Sequence, residues 1–231
     1  LNKIEKNSQV WGDDELIDIK DSVKLNNLSL KWDNKILLKN VNLKINAGTI
    51  NIIVGPSGEG KTTLIDSVAG IIKPHNGTIE FDNKEISNFS ERSFKSNISY
   101  IDQNATLFNE SIIDNISWGQ DKVSKNKIYE IAKQLDIHDK IKSLENGYNT
   151  MAGDRGVNLS GGEVQRIIII RALIRNPKIL ILDEAINQLD SKSKTPIIKM
   201  LERLKGKITI FIISHSEDTI NLADNIFEVS N

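Results

Sequence analysis

The chain has 231 residues, 39% of them hydrophobic and 26% charged, which suits a folded globular chain with one substantial core and room for an attached subdomain. With 30 Lys and Arg against 31 Asp and Glu the net charge is −1, which excludes the electrostatic footprint of a long nucleic-acid surface, and the lack of cysteine excludes disulfides and Cys-based zinc sites and fits a reducing compartment. Apolar runs such as 167–170 and 208–213 fall far short of the roughly 20 residues that span a bilayer, and a start at Leu1 without a charged-then-apolar leader reads as a piece of a longer chain.

Residues 1–20 are polar, with acidic residues at Asp13, Asp14 and Glu15 and an isolated Trp11, the pattern of a linker. Val23, Leu25, Leu28 and Leu30, then Ile36, Leu38, Val41, Leu43 and Ile45, are spaced mostly by two. That spacing predicts a small antiparallel β layer, with Asp33-Asn34 as its hairpin turn. Ile50, Ile52, Ile53 and Val54 form a buried-type strand that stops at Gly55. The next residues, Gly55-Pro56-Ser57-Gly58-Glu59-Gly60-Lys61-Thr62, fit Gly-x-x-x-x-Gly-Lys-[Ser/Thr], and a helical pattern runs over 61–69.

Strand, glycine-rich loop and helix in this order are the setting that a phosphate-binding loop needs. Glycines let backbone N–H groups curl around phosphate oxygens, Lys61 brings a positive charge to the β and γ phosphates, and Thr62 can ligate Mg²⁺. The helix adds the positive end of its dipole. A chance glycine-rich turn would match in a chain of this length on the order of one time in a hundred, and nothing would oblige it to sit between a strand and a helix.

A strand over 78–81 with a turn at Asp82-Asn83 follows, and from about 90 to 158 the pattern becomes mainly helical, with Ile128, Ile131, Ala132 and Leu135 on one face. This predicts an inserted helical subdomain. Ser160 and Glu163 then form a Ser-x-x-Glu capping box, so a second helix begins with its N–H groups pointing forward, and it ends before Asn176-Pro177. Two continuous apolar strands, 179–182 and 208–213, flank a helix over 191–204 and indicate a parallel sheet covered on both faces. The first ends in Asp183-Glu184. Alone that pair would be a surface turn, but beside a phosphate loop Asp183 can hold Mg²⁺ through its water shell and Glu184 can polarise the water that attacks the γ-phosphate. His215, just past the second strand, should emerge at the same sheet edge and contact the γ-phosphate. His75 and His138 have no such setting and read as surface residues.

Leu159-Ser160-Gly161-Gly162-Glu163 resembles the signature of the ABC family, normally Leu-Ser-Gly-Gly-Gln, and the resemblance extends from about Val23 to Val229. It implies an α/β fold: a P-loop NTPase core with a mostly parallel sheet, an N-terminal antiparallel β subdomain and an inserted α-helical subdomain at about 90–158. Residues 1–20 would then be a linker from a transmembrane domain, and 21–231 the ATPase domain. By the same resemblance Gln103 matches the Q-loop, which touches the Mg²⁺ region and the membrane domain. Leu107-Phe108-Asn109-Glu110-Ser111-Ile112 with Asn115-Ile116 looks like the continuation found in exporters, and Gly153-Asp154-Arg155-Gly156 looks like the exporter X-loop. Asp190 matches the D-loop aspartate, and Trp32 falls where the family places the aromatic that stacks on adenine.

The implied ATP contacts are therefore Trp32, the loop Gly55, Pro56, Ser57, Gly58, Glu59, Gly60, Lys61, Thr62 and Thr63, and Ser160, Gly161, Gly162, Glu163 and Asp190. Thr62, Gln103 and Asp183 would hold Mg²⁺, and Glu184, His215, Lys61 and Gln103 would serve catalysis. Three departures stand out: Glu163 for the usual Gln, Trp32 for the commoner Tyr, and Ala185-Ile186-Asn187-Gln188-Leu189-Asp190 for the usual Ala-Thr-Ser-Ala-Leu-Asp. Lys61, Asp183, Glu184 and His215 are intact, which predicts a hydrolysing site.

The resemblance implies a head-to-tail partner in a second copy, a transmembrane domain in the same polypeptide, no nucleic acid, and a place at the cytoplasmic face of the cell membrane (the inner membrane in a Gram-negative cell). Exporters of this kind move lipids, drugs or peptides, and a peptide or drug is the expected cargo. The rival readings are an ABC ATPase of DNA repair, which would carry a long coiled coil before the signature, a translation-factor ABC protein with a basic linker, and an importer ATPase subunit.

Overall fold

The computed structural model describes residues 9–32, 35–120, 122–153 and 156–229. The expected turn at Asp33-Asn34, and Asp154 and Arg155, lie outside the described residues. In chain order the elements are β1 (Ser22–Trp32), β2 (Lys35–Asn46), β3 (Ile50–Val54), α1 (Lys61–Val68), β4 (Asn76–Phe81), β5 (Lys84–Glu85), α2 (Glu91–Ser96), β6 (Ile98–Ile101), α3 (Ile112–Ser117), α4 (Lys125–Gln134), α5 (His138–Lys142), α6 (Gly161–Ile174), β7 (Ile179–Asp183), α7 (Ser191–Leu204), β8 (Thr209–Ile213), α8 (Glu217–Ile220) and β9 (Asn225–Glu228). One sheet has the order β2-β1-β4-β5 and the other β6-β7-β8-β3-β9. β1 runs antiparallel to β2 and β4, and β3 runs parallel to β8 and β9. This is the α/β fold that the resemblance implies, with its parallel sheet and its separate antiparallel sheet.

The chain divides into two compact units, each described by itself: Leu1–Ile98 with Lys178–Ile181 and Lys205–Asn231, and Ser99–Pro177 with Leu182–Leu204. In the first unit, the spacing by two puts Val23, Leu25, Leu28 and Leu30 of β1 in the core. β3 and β8 are apolar on both faces and bury nearly every residue, as sandwiched parallel strands do. Asp82 and Asn83 adopt positive φ in a two-residue turn that pairs Phe81 with Lys84, a conformation that these residue types tolerate.

From Trp11 onward the N-terminal segment is fastened along this unit. Trp11 packs on Phe94, ring centroids 5.2 Å apart. The Leu16 N–H donates to Ser93 Oγ at 2.8 Å, and Asn97 Nδ2 donates to the Leu16 carbonyl at 2.6 Å. The Asp82 carboxylate accepts from the backbone N–H groups of Lys20, Asp21 and Ser22 at 2.8 to 3.0 Å. Leu16 and Ile19 are buried as well, so this segment is held by apolar contact together with hydrogen bonds to backbone.

The second unit is built around α6, whose residues 167–170 and 172–174 are all buried. Arg171 leaves α6 to donate through Nε to the Asn115 carbonyl and through Nη2 to Asn115 Oδ1, both at 2.7 Å. Buried Asn115 in turn donates to the carbonyls of Phe108, Glu110 and Ser111. These bonds tie the exporter-like segment to the helix that the signature begins. His138 is a correction to the sequence reading: it is buried, with Nδ1 2.9 Å from the Tyr148 hydroxyl and its ring 5.3 Å from that of Tyr129. The short α5 turns His138 and Ile141 inward together. Burial, ahead of the charges of Lys133 and Lys142, pushes its pKa below the ordinary value. His75 is exposed, as expected. Among the described residues no helix is long and apolar enough to cross a membrane.

Candidate functional site

In the first unit β3 ends at Val54 and runs directly into the loop 55–60, which leads into α1. Glycine is required here on backbone grounds. Gly55, Gly58 and Gly60 have φ of +142°, +83° and +97°, and a Cβ on Gly55 would lie 2.1 Å from the Val229 carbonyl oxygen. Gly60 is the N-cap of α1 and supplies no side-chain cap, so the first-turn N–H groups stay available to an anion. Lys61 is only 6% exposed, and its Nζ donates to the carbonyls of Gly55 at 2.7 Å and Pro56 at 2.8 Å, folded over the loop that precedes it. Pro56, Ser57 and Thr62 are exposed, while Glu59 and Thr63 are half-buried.

The β1–β2 hairpin comes close to this loop, since a Cβ on Gly60 would lie 3.2 Å from Leu37 Cβ. Trp32, opposite Lys35 at the end of that hairpin, leaves 59% of its area open. β8 lies beside β3 with Ile53 level with Ile213, so Gly55 and His215 leave the sheet at the same edge. His215 is exposed there. The preceding Ser214 is buried, and its hydroxyl accepts from the Ser216 N–H at 3.2 Å and the Thr219 hydroxyl at 2.7 Å, which fixes the bend. A separate apolar cleft of about 480 Å³, lined by Leu38, Val41, Leu43, Leu64, Phe227 and Val229 among others, includes none of the residues 55–63.

In the second unit Asp183 ends β7, buried to 7% exposure, and the Tyr100 hydroxyl donates to its Oδ2 at 3.1 Å. Glu184 follows with φ +52°. Of the seven non-glycine residues with positive φ among the described residues, the other six are Asn or Asp, whose short side chains tolerate that region. A glutamate there is held by its surroundings, and such strain gathers at functional positions. Gln103 is exposed beyond β6, in a bend where the Asn104 N–H donates to Asp102 Oδ1 at 2.7 Å.

The predicted capping box is present at α6: the Ser160 N–H donates to Glu163 Oε2 at 2.8 Å and the Glu163 N–H to Ser160 Oγ at 3.3 Å. The other oxygen of Glu163 faces Lys140 Nζ at 3.7 Å, so the charge introduced in place of a neutral Gln has a counter-ion. Gly162 is required by packing, because a Cβ there would lie 2.2 Å from Ser193 Oγ and 2.5 Å from Ser193 Cβ. Asp190 holds that serine, accepting from its N–H at 3.0 Å and its hydroxyl at 2.9 Å. These two bonds, the backbone one first, keep the Asp190 carboxyl below the ordinary range, in the manner of an N-cap for α7. A Cβ on Gly161, by contrast, would meet nothing within 4 Å among the described residues.

Chemically, α1 and Lys61 can take a phosphate chain. The Thr62 hydroxyl in the first unit, and the Asp183 carboxylate and Gln103 side-chain carbonyl in the second, are each hard oxygen donors of the kind that Mg²⁺ prefers. Comparison with known proteins identifies the family that carries these parts. Residues 38–187 match the family profile described as ABC transporter. The chain belongs to the ABC transporter family.

This ABC domain is 38% identical over 197 residues to ABC transporter B family member 1 of Dictyostelium discoideum, which covers 85% of this chain and 22% of that protein. It is 39% identical over 212 residues to the ATP-dependent lipid A-core flippase of Syntrophus aciditrophicus (strain SB), covering 92% of this chain and 35% of that protein. A solved bacterial Atm1-family ABC exporter with ATP bound superimposes with a TM-score of 0.84 at 31% identity, over 95% of this chain and 40% of that one. Membership makes the chain an ATP-binding, ATP-hydrolysing domain. The sequence reading missed Tyr100, Lys140 and Ser193. Each meets its partner through the fold rather than through nearby spacing, so no motif marks it.

Proposed function

We propose that this ABC ATPase domain is the motor of a membrane exporter, working at the cytoplasmic face of the cell membrane as two head-to-tail copies with ATP between them. One observation carries the proposal. Gly161 begins a helix at a position where, among the described residues, an added Cβ would meet nothing within 4 Å, and this open face at the signature is where a second copy would approach. The similarity to exporters several times longer than this chain supports the transmembrane half of the reading. Among the described residues, the longest helix between Lys61 and Leu159 is the ten-residue α4, which disfavours a DNA-repair ATPase with a coiled-coil insertion.

In this reading the α1 N–H groups and Lys61 bind the β and γ phosphates, and Trp32 stacks on the base, a contact of about 1–3 kcal/mol that tolerates base identity. Thr62, Gln103 and Asp183 hold Mg²⁺, which neutralises phosphate charge when bound. Glu184 orients and polarises the attacking water, and His215 contacts the γ-phosphate. Ser160, Gly161 and Gly162 of one copy close on the nucleotide of the other, while Glu163 and Asp190 brace that turn from within its own chain. Closure biased by ATP and released by hydrolysis is a two-state switch. Cargo selection falls to the membrane-spanning part.

Because each site needs a second copy, the specific ATPase activity of the isolated chain should rise faster than linearly with its concentration. Fusion to the membrane domain should raise it further through effective concentration. Strict linearity over a wide range, with no ATP-dependent association in light scattering, contradicts the proposal.

A further inference from the structure

β6 and β7 are neighbours in the sheet, and β6 does more than lead into Gln103. Its Ser99 hydroxyl donates to the Ala172 carbonyl of α6 at 2.9 Å, a buried bond that anchors the strand. Successive side chains on a strand face opposite ways, so the next residue, Tyr100, is delivered to the other face, where its phenol reaches Asp183 Oδ2 at 3.1 Å. We propose that Tyr100 is a positioning residue for Asp183: its hydroxyl fixes the rotation of a carboxylate that meets the divalent cation of MgATP, and so sets the metal affinity of this chain. The inference rests on the reading of Asp183 as a cation-side residue.

The physical case is one of order. A carboxylate ended by a free torsion must be fixed each time a cation binds, whereas one already held by a donor keeps a constant direction. The phenol also draws some electron density from the carboxylate, which opposes binding. Removing such an outer partner in a metal site typically costs about 10–100-fold in affinity with both effects included. Orientation therefore wins. Gln103 follows two residues after the end of β6, so a shift of β6 would disturb two cation-side groups together.

Tyr100→Phe removes the hydroxyl and keeps the ring. The test measures Mn²⁺, as a paramagnetic substitute for Mg²⁺, by EPR titration of free ion against the 231-residue chain with ATP present. Alongside it run ATP binding in EDTA and the Mg²⁺ dependence of turnover. Tyr100→Phe should weaken Mn²⁺ binding about tenfold, leave metal-free ATP binding unchanged and move half-maximal Mg²⁺ upward by a similar factor, with excess Mg²⁺ restoring turnover. Asp183→Asn is the reference variant. Wild-type Mn²⁺ affinity in Tyr100→Phe while Asp183→Asn binds weakly overturns the proposal. So does a fall in thermal stability or maximal rate with no change in Mg²⁺ dependence, which is the mark of a purely structural tyrosine. Wild-type Mn²⁺ affinity in Asp183→Asn instead removes the cation-side reading beneath it.

Discussion

The loop before α1 and the turn before α6 are both helix N-termini rich in glycine, yet their glycines have different causes. In the first, Gly55, Gly58 and Gly60 all sit at positive φ and the helix carries no side-chain cap, so the backbone is shaped for an anion and left open to one. In the second, the helix is capped by its own Ser160 and Glu163, and Gly162 is needed for contact with Ser193. At Gly161 a Cβ would meet nothing within 4 Å among the described residues. One turn thus leaves its backbone N–H groups open, and the other has them capped from within its own chain; on the proposed function the first takes phosphate by itself and the second closes on a ligand held by the other copy.

Four substitutions can break or sharpen that contrast. Lys61→Ala acts on the self-sufficient turn and should have the largest effect: ATP binding weakens and turnover falls by at least about a hundredfold, the scale of losing one preorganised charge at a reacting phosphate. If ATPase assays show retained turnover, the loop is not the catalytic phosphate site. Gly161→Asp should cost roughly tenfold or more in ATPase activity by setting a negative charge against the other copy's phosphate. ATP binding and folding should be preserved, because an acidic residue suits a first helical turn. Calorimetric melting that drops together with activity would move the cause back inside the chain. Gly162→Ala should instead lower stability by about 1–3 kcal/mol, the usual cost of overpacking, read as a lower melting temperature that Ser193→Gly restores. Glu163→Gln should have the smallest effect. An amide can keep the capping box, and the ion pair with the half-exposed Lys140 contributes about 1 kcal/mol or less, so ATPase assays should find it tolerated or mildly activated.

Much of this arrangement is legible in the sequence wherever one short stretch carries its own reason. Continuous apolar runs give β7 and β8, the intervening amphipathic pattern gives α7, and Ser160 with Glu163 gives the start of α6. What is hidden depends on partners brought together by the fold. β6 is four residues long and lies among helical spacings, so its period is too short to register. Tyr100 and Asp183 are 83 positions apart. Lys140 precedes Glu163 by several turns of chain, and Ser193 beneath Gly162 is visible only once α6 and α7 meet. A glycine required by packing and a glycine required by a ligand are the same letter. His138 shows the converse, because a lone histidine between Ile137 and Asp139 gives no sign of the two tyrosines that pack against it.

The head-to-tail arrangement is tested most directly by the size of Glu184→Gln in the presence of ATP. The side chains are nearly the same size, so Lys61, Thr62 and Asp183 should still bind ATP and Mg²⁺, while the carboxylate proposed to activate water is gone. With hydrolysis blocked, ATP stays between the copies and the contacts of Ser160, Gly161 and Gly162 persist. Gel filtration with light scattering should show a stable dimer with ATP and a monomer with ADP, where the unsubstituted chain dimerises only transiently. Near-normal hydrolysis in this variant would remove Glu184 as the base, and a monomer despite tight ATP binding would contradict the head-to-tail account itself.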